Sequence, residues 1–153
     1  MDRFDRKILG LLQEDATLSL GDLAERIGLS TTPCWRRVQR LEADGYILRR
    51  VALLSPAKLN VGVTVFVQIK TSQHNQAWLE RFRKVVLGIP EIVEFYRMSG
   101  AVDYLLRVVV PDIAGYDTVY QRLIKNTELF DVSSSFAMEQ LKCTTTLPLD
   151  YLE

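Results

Sequence analysis

Arg36, Arg37 and Arg40 are the residues of this chain whose type and spacing most plainly suggest chemistry. They belong to the run Ser30-Thr31-Thr32-Pro33-Cys34-Trp35-Arg36-Arg37-Val38-Gln39-Arg40-Leu41. Cys34, Val38 and Leu41 recur there at i, i+4 and i+7, which makes one apolar stripe of a helix. Thr32, Arg36, Arg37 and Arg40 project away from that stripe. A guanidinium holds phosphate, or pairs in bidentate fashion with guanine O6 and N7, a contact worth roughly 1–3 kcal/mol of base discrimination. A helix with one buried edge and one arginine edge can pack on a core and touch a polyanion together. Ser30 is a candidate N-cap, because its hydroxyl can accept an orphan N–H of the first turn. Pro33 falls in that first turn, where no intrahelical bond is lost. The plain alternative is the wet face of an amphipathic helix, since exposed charge is ordinary.

The residues before the run change the balance. Phe4, Ile8, Leu11 and Leu12 mark a first helix over residues 3–14. Ser19 opens a second, with Asp22 as its capping-box partner and Leu20, Leu23, Ala24 and Ile27 as its buried stripe. Gly28 ends it and Leu29 plugs the corner before Ser30. Helix, short glycine-containing turn, helix is the pattern of a helix-turn-helix, whose second helix enters the major groove. Lys+Arg and Asp+Glu both number 19, so the whole-chain field does not favour a polyanion. Residues 30–50 do, with Arg36, Arg37, Arg40, Arg49 and Arg50 against Glu42 and Asp44. The expected DNA-contact set is Ser30, Thr31, Thr32, Arg36, Arg37 and Arg40. Trp35 reads as a packing residue at the domain edge, and Cys34 as a small core residue rather than a thiol sensor.

The third helix should stop at Asp44-Gly45. Residues 47–54 read as a strand, a wing or linker, broken by Ser55-Pro56. Beyond them Val63, Val65, Val67 and Ile69 predict a strand; Trp78, Phe82, Val85, Val86 and Ile89 a helix; residues 91–99 a strand. Gly100-Ala101 turns into a strand from Val102 to Val110, and Pro111-Asp112 opens a helix bearing Tyr116, Val119 and Leu123. A last strand is expected from about Asp131 to Lys142. The order β-α-β-β-α-β is the ferredoxin-like split βαβ. The fold class is therefore α+β: a winged-helix-like helix-turn-helix domain at 1–50, a linker strand at 51–61, and a ferredoxin-like domain at 62–153. Such a sheet has helices on one face. Its other face carries Phe66, Leu105 and Val109 beside Thr64, Asp103 and Arg107, a half-buried mixture that implies cover by another copy, hence at least a dimer.

Cys34 and Cys143 lie far apart and form no CxxC pair, which suits a reducing cytoplasm and excludes a disulfide framework. Met1-Asp2-Arg3-Phe4-Asp5 does not read as a signal peptide, and no apolar stretch approaches the roughly 18 residues that span a bilayer; no membrane partner is expected. His74 has no second imidazole or cysteine nearby in sequence, so no metal and no cofactor are assigned. An enzyme is not expected: Thr71-Ser72-Gln73-His74-Asn75 lacks the glycines of a phosphate loop, and no nucleophile–base pair stands out. The aromatic signature of a sheet-type RNA binder is missing as well.

In Asp5-Arg6-Lys7-Ile8-Leu9, Leu23-Ala24-Glu25-Arg26-Ile27-Gly28-Leu29-Ser30, Thr32-Pro33-Cys34, Arg40-Leu41-Glu42 and Gly45-Tyr46-Ile47 the sequence resembles the Lrp/AsnC family of bacterial feast/famine transcription regulators. Ser99-Gly100-Ala101-Val102-Asp103-Tyr104-Leu105-Leu106, Val110-Pro111-Asp112 and Tyr116 extend the resemblance over nearly the whole chain. It implies dimers that assemble further, often to octamers, double-stranded DNA wound around them, and an amino-acid effector bound at contacts between dimers. The run 31–35 and the tail 134–140 look like the branch that includes cysteine-responsive activators. For the effector, Asp103 can meet an α-amino group, and backbone N–H groups around Ser99-Gly100-Ala101 can meet a carboxylate, with Gly100 allowing close approach. The resemblance adds Arg97, Met98, Tyr104, Ile113, Ser134, Ser135 and Phe136 to that site. Family members often read Gly-Asp-x-Asp here, whereas this chain has Ala101 in the first acidic position and keeps only Asp103. Gly100 as a hairpin residue and Asp103 as an inter-subunit ion-pair partner are the plain alternatives. The competing function is an amino-acid-sensing oligomer with weak or architectural DNA binding.

Overall fold

The computed structural model describes residues 1–73, 75–125 and 129–152. The chain forms two compact units, one built from Met1–Leu53 together with the chain's end from Lys142, the other from Leu54–Leu141. His74, weighed above as a metal ligand, lies outside the described residues.

The first unit is a three-helix head: α1 Arg3–Glu14, α2 Leu20–Ile27 and α3 Thr31–Ala43. Local chemistry sets each start. Asp2 caps α1, accepting the Phe4 and Asp5 N–H groups, while the Asp5 carboxylate takes the Asp2 N–H. Ser19 Oγ caps α2 by accepting the Asp22 N–H at 3.1 Å. Gly28 closes α2 at φ +75, where an added Cβ would meet open space, so the requirement is conformational rather than steric. Ile8, Leu12, Leu23, Ala24, Ile27, Cys34, Val38 and Leu41 bury one stripe of each helix in a common core.

A carboxylate stands in that core. Asp5 is only 1% exposed. Its Oδ1 accepts Arg37 Nη1 at 2.8 Å and its Oδ2 accepts Arg40 Nη2 at 2.7 Å. Arg37 Nη1 also reaches Asp2 Oδ2 at 2.7 Å, and its guanidinium lies 5.3 Å from the Phe4 ring centroid. A buried charge is tolerated only when paired and hydrogen-bonded. Asp5 meets that condition through two arginines of α3, which braces α3 against the start of α1.

The second unit runs β1 Val63–Lys70, α4 Gln76–Leu87, β2 Ile92–Arg97, β3 Tyr104–Val110, α5 Ile113–Lys125 and β4 Asp131–Phe136. The four strands pair antiparallel in the order β2-β3-β1-β4, the ferredoxin-like arrangement. Alternation works as strand geometry requires: Val65, Val67, Ile69, Leu106, Val108 and Val110 are buried under α4 and α5. Trp78 stacks on Phe82 at 5.0 Å between ring centroids, and Tyr104 tilts against both.

The structure corrects three expectations. Residues 47–54 form no strand, because no described strand pairs with them; Leu48, Val51, Leu53 and Leu54 stay exposed. The last strand ends at Phe136 rather than Lys142, where its pairing with β1 at Val65 stops. The chain's end, assigned above to the ferredoxin-like domain, packs with the head through Leu149 and Leu152.

Two outcomes follow from burial. Replacing Arg37 or Arg40 singly by Ala leaves Asp5 one guanidinium, whereas the double substitution leaves a buried charge without one and should cost about 3–5 kcal/mol. Urea unfolding should therefore give a double-mutant loss well above the sum of the singles; simple additivity would deny the brace. Ellman's reagent should titrate exposed Cys143 in the folded protein and spare Cys34, which is fully buried and whose thiol burial pushes above its ordinary pKa despite the nearby Arg37 charge. Equal reaction of both thiols before unfolding would contradict that burial.

Candidate nucleic-acid interface and effector site

The leading end of α3 carries the first half of the expected DNA set. Ser30 occupies the N-cap position, but its hydroxyl makes no cap bond, contrary to its expected role. Its backbone carbonyl instead accepts the Cys34 N–H at 3.2 Å. Thr31, Thr32 and Arg36 are exposed. The Ser30 hydroxyl and the Arg36 guanidinium have no partner among the described residues. A helix N-terminus also directs unsatisfied N–H groups outward, which favours phosphate.

The other half differs. The expectation of three arginines projecting together is corrected by the brace. The Arg37 side chain is 25% exposed and committed to Asp2 and Asp5, so it is a positioning residue. Arg40 is 54% exposed and gives one Nη to Asp5, leaving its other donors toward solvent. Trp35 is exposed rather than packed, and Arg50 pairs with Glu42 at 3.0 Å. The residue missed above is Asp5. A signal for it existed: Asp5 stands four residues before Leu9 and seven before Leu12, on the apolar stripe of α1. An acid there demands a cation from elsewhere.

The expected effector residues fall into two groups. The β2–β3 turn holds the first. Gly100 has φ +129 and open space above it, so backbone conformation dictates glycine and leaves room for an approaching group. Met98 N–H donates to the Asp103 carbonyl at 2.8 Å, and Asp103 N–H to the Ile69 carbonyl at 2.9 Å. Asp103 Oδ2 accepts the Thr71 N–H at 2.8 Å, tying the turn to the end of β1. Its Oδ1 has no partner among the described residues. Arg97, Met98 and Ser99 are exposed around this turn, while Tyr104 points into the aromatic core and also borders a cleft between α4 and β2 of about 680 Å³.

The second group gathers where α5 begins. Ile113 is exposed in its first turn. Tyr116 and Ser134 share a hydrogen bond between hydroxyls, and Phe136 meets the Tyr116 ring edge-on at 5.4 Å. Burial pushes the Tyr116 hydroxyl above its ordinary pKa, with the Ser134 bond acting in the opposite sense. Ser135 pairs with Phe66 and so faces the opposite side of the sheet from Ser134. Tyr104 and Val110 mark opposite ends of β3, about 20 Å apart by strand rise. The turn precedes one end and α5 follows the other, so one chain does not bring the two groups into a single pocket.

The helix-free sheet face shows what the register brings together. Phe66 lies across from Arg107 and Ser135, and Leu105 lies between Gln68 and Tyr96. Arg107 grips Glu94 at 2.6 Å, and Tyr96 donates to the same carboxylate at 3.1 Å. The guanidinium holds the Glu94 carboxyl below its ordinary pKa. No cluster of three metal-ligating side chains exists among the described residues, and no described helix is long and apolar enough to cross a membrane.

Comparison with known proteins agrees with this architecture. Residues 64–147 match the family model described as the Lrp/AsnC ligand binding domain, and residues 1–47 one described as winged helix-turn-helix DNA-binding. The chain is 53% identical over 151 residues to the DNA-binding transcriptional activator DecR of Escherichia coli K12, covering 98% of this chain and 99% of that one. It is 50% identical over 149 residues to a glutamate uptake regulatory protein of Zymomonas mobilis, covering 97% and 91%. Among solved structures, an AsnC family transcriptional regulator from Agrobacterium tumefaciens superposes with a TM-score of 0.96 at 66% identity over 100% of both chains. A transcriptional regulator from Neisseria meningitidis, described as an L-Met complex, gives 0.94 at 34% identity over 100% of this chain and 99% of that one. Two units, a three-helix head and a four-stranded ferredoxin-like sheet, matched along their length in both comparisons, place this chain in the Lrp/AsnC family of DNA-binding transcriptional regulators.

Proposed function

We propose that α3 enters the major groove with Ser30, Thr31, Thr32 and Arg36 as its contact residues, Arg40 as an ion-paired phosphate contact, and Arg37 as the residue that orients the helix. The observation that carries this reading is the division among the three arginines, one free and two held by Asp5. A guanidinium already fixed by a carboxylate loses little freedom on meeting phosphate. A free one can adapt to a base edge.

The chain acts as a symmetric dimer on roughly palindromic sites, since a two-fold protein matches a two-fold operator. Two surfaces support pairing. One is the helix-free sheet face with Phe66, Leu105, Val109 and Tyr96. The other is the exposed row Leu48, Val51, Leu53 and Leu54 in a segment with strand-like sequence and no strand partner among the described residues. Dimers assemble further, toward an octamer, in the cytoplasm where the DNA is.

The effector is a free α-amino acid bound between chains. The relatives' printed descriptions, a glutamate uptake regulator and an L-Met complex, favour that class. The separation of the two residue groups favours a composite site: the turn at Ser99–Asp103 from one chain, and Ile113, Ser134 and Phe136 from another. In it the unpartnered Oδ1 of Asp103 takes the ammonium and the turn's N–H groups take the carboxylate.

Operator titrations at several salt concentrations test the first part. Arg36→Ala should weaken binding by roughly 1–3 kcal/mol if it reads a base, or lower the salt slope by about 1 if it holds phosphate. Parental affinity and slope together would remove Arg36 from the interface. A thermal-shift screen of the twenty amino acids tests the second part, because a ligand of the folded state raises its melting point. Asp103→Asn keeps an oxygen for the Thr71 N–H and removes the charge. It should abolish the shift with operator binding kept; identical titrations of variant and parent would exclude Asp103.

A further inference from the structure

The chain's end is held against α1 by bonds that read backbone. Leu147 N–H donates to Gln13 Oε1 at 2.9 Å, and Gln13 Nε2 donates to the Leu147 carbonyl at 3.1 Å. The Arg6 guanidinium donates to the Leu152 carbonyl. A side-chain amide that engages both main-chain groups of one residue does what a neighbouring strand does, so it accepts an extended segment in one register. Pro148 assists, because the residue before a proline is pushed toward extended conformations. Leu149 and Leu152, partly buried, then pack against the head's core. Leu149 Cδ1 stands 3.8 Å from where a Cβ on Gly10 would lie, so the small residue forms the floor beneath it.

These contacts define a groove between α1 and Tyr46–Arg50; beside the seated segment a cavity of about 440 Å³ remains, walled by Leu9, Leu12 and Ile47 on one side and by Leu147, Leu149 and Leu152 of the segment on the other. We infer that α1 carries a docking groove for a peptide segment, that its occupant is this chain's own segment 144–152, which turns at residues 150–151, and that the DNA-binding head reaches full stability only with that segment seated. Small units bury a smaller share of their surface than large ones and are correspondingly marginal. Leu9 and Leu12 are each 9% exposed with the segment in place, and they border the groove it closes. None of this uses the face of α3 that meets DNA.

The test compares the parent with a chain ending after Cys143, by amide hydrogen exchange across α1 and by operator titration. Truncation should lower α1 protection at least tenfold and weaken operator binding several-fold, because only the folded head binds. A synthetic peptide of residues 144–153 at millimolar concentration should restore both. Parental protection and affinity in the truncated chain would overturn the inference, as would a loss that the peptide does not reverse. If the truncated chain is not recovered folded, the full-length variant Gln13→Ala/Leu149→Ser/Leu152→Ser decides. Lowered protection in α1 with β1 and β3 unchanged supports the groove, and unchanged α1 protection refutes it.

Discussion

A carboxylate inside an apolar core has to be paired with cations, and the DNA-binding head is arranged to satisfy that need at Asp5. The partners come from α3, some thirty residues along the chain, so the requirement of one acid becomes a constraint on the angle between α1 and α3. Asp2 strengthens it from outside, since it caps α1 and pairs with Arg37 together. The exposed Asp2–Arg37 contact is worth little by itself. The buried half of the network is where loss is expensive, because the alternative there is an unsolvated charge. The head thus trades part of its cationic edge for a fixed α3.

The sheet unit solves a different problem. Its core is a broad apolar and aromatic layer that needs no ionic partner. Its polar contacts lie outside that layer, and strand register decides which groups meet. The turn at Gly100 is tied to β1 through Asp103, so a residue suited to binding an ammonium also holds the local backbone. One oxygen of that carboxylate is used by the Thr71 N–H, and the other has no partner among the described residues.

Features governed by neighbours within a few residues were readable in the sequence. The cap at Ser19, the left-handed Gly28 and the alternation of Val65, Val67 and Ile69 all follow from short-range rules. Features that depend on a distant partner were not. Periodicity puts Arg37 and Arg40 off the apolar stripe of α3 but does not say that an acid of α1 waits there. The same limit applies at 47–54: strand propensity is present, yet a strand exists only where another backbone pairs with it. For the candidate site, the turn was legible at Gly100-Ala101, though the strands stop short of it at Arg97 and Tyr104. The distance between it and Ile113 required strand direction and order, which place them beyond opposite ends of β3. The docking of the chain's end was invisible, because Leu147 to Leu152 show no helical or strand period to announce a partner.

These two kinds of stability bear on regulation. If an effector site takes one group of residues from each of two chains, an amino acid bound there contributes free energy to that assembly and not to one in which the chains lie apart. Linkage then requires the assembly to shift, whatever the effector's affinity, by the difference in its binding to the two states. On the dimeric operator reading proposed above, DNA senses the same assembly through the heads, since half-sites must match their spacing. For that spacing to be read, α3 has to be held within each head as firmly as the heads are held by the assembly. The Asp5 network performs the first task with charge, from a buried carboxylate whose one exposed partner, Arg40, still keeps donors toward solvent.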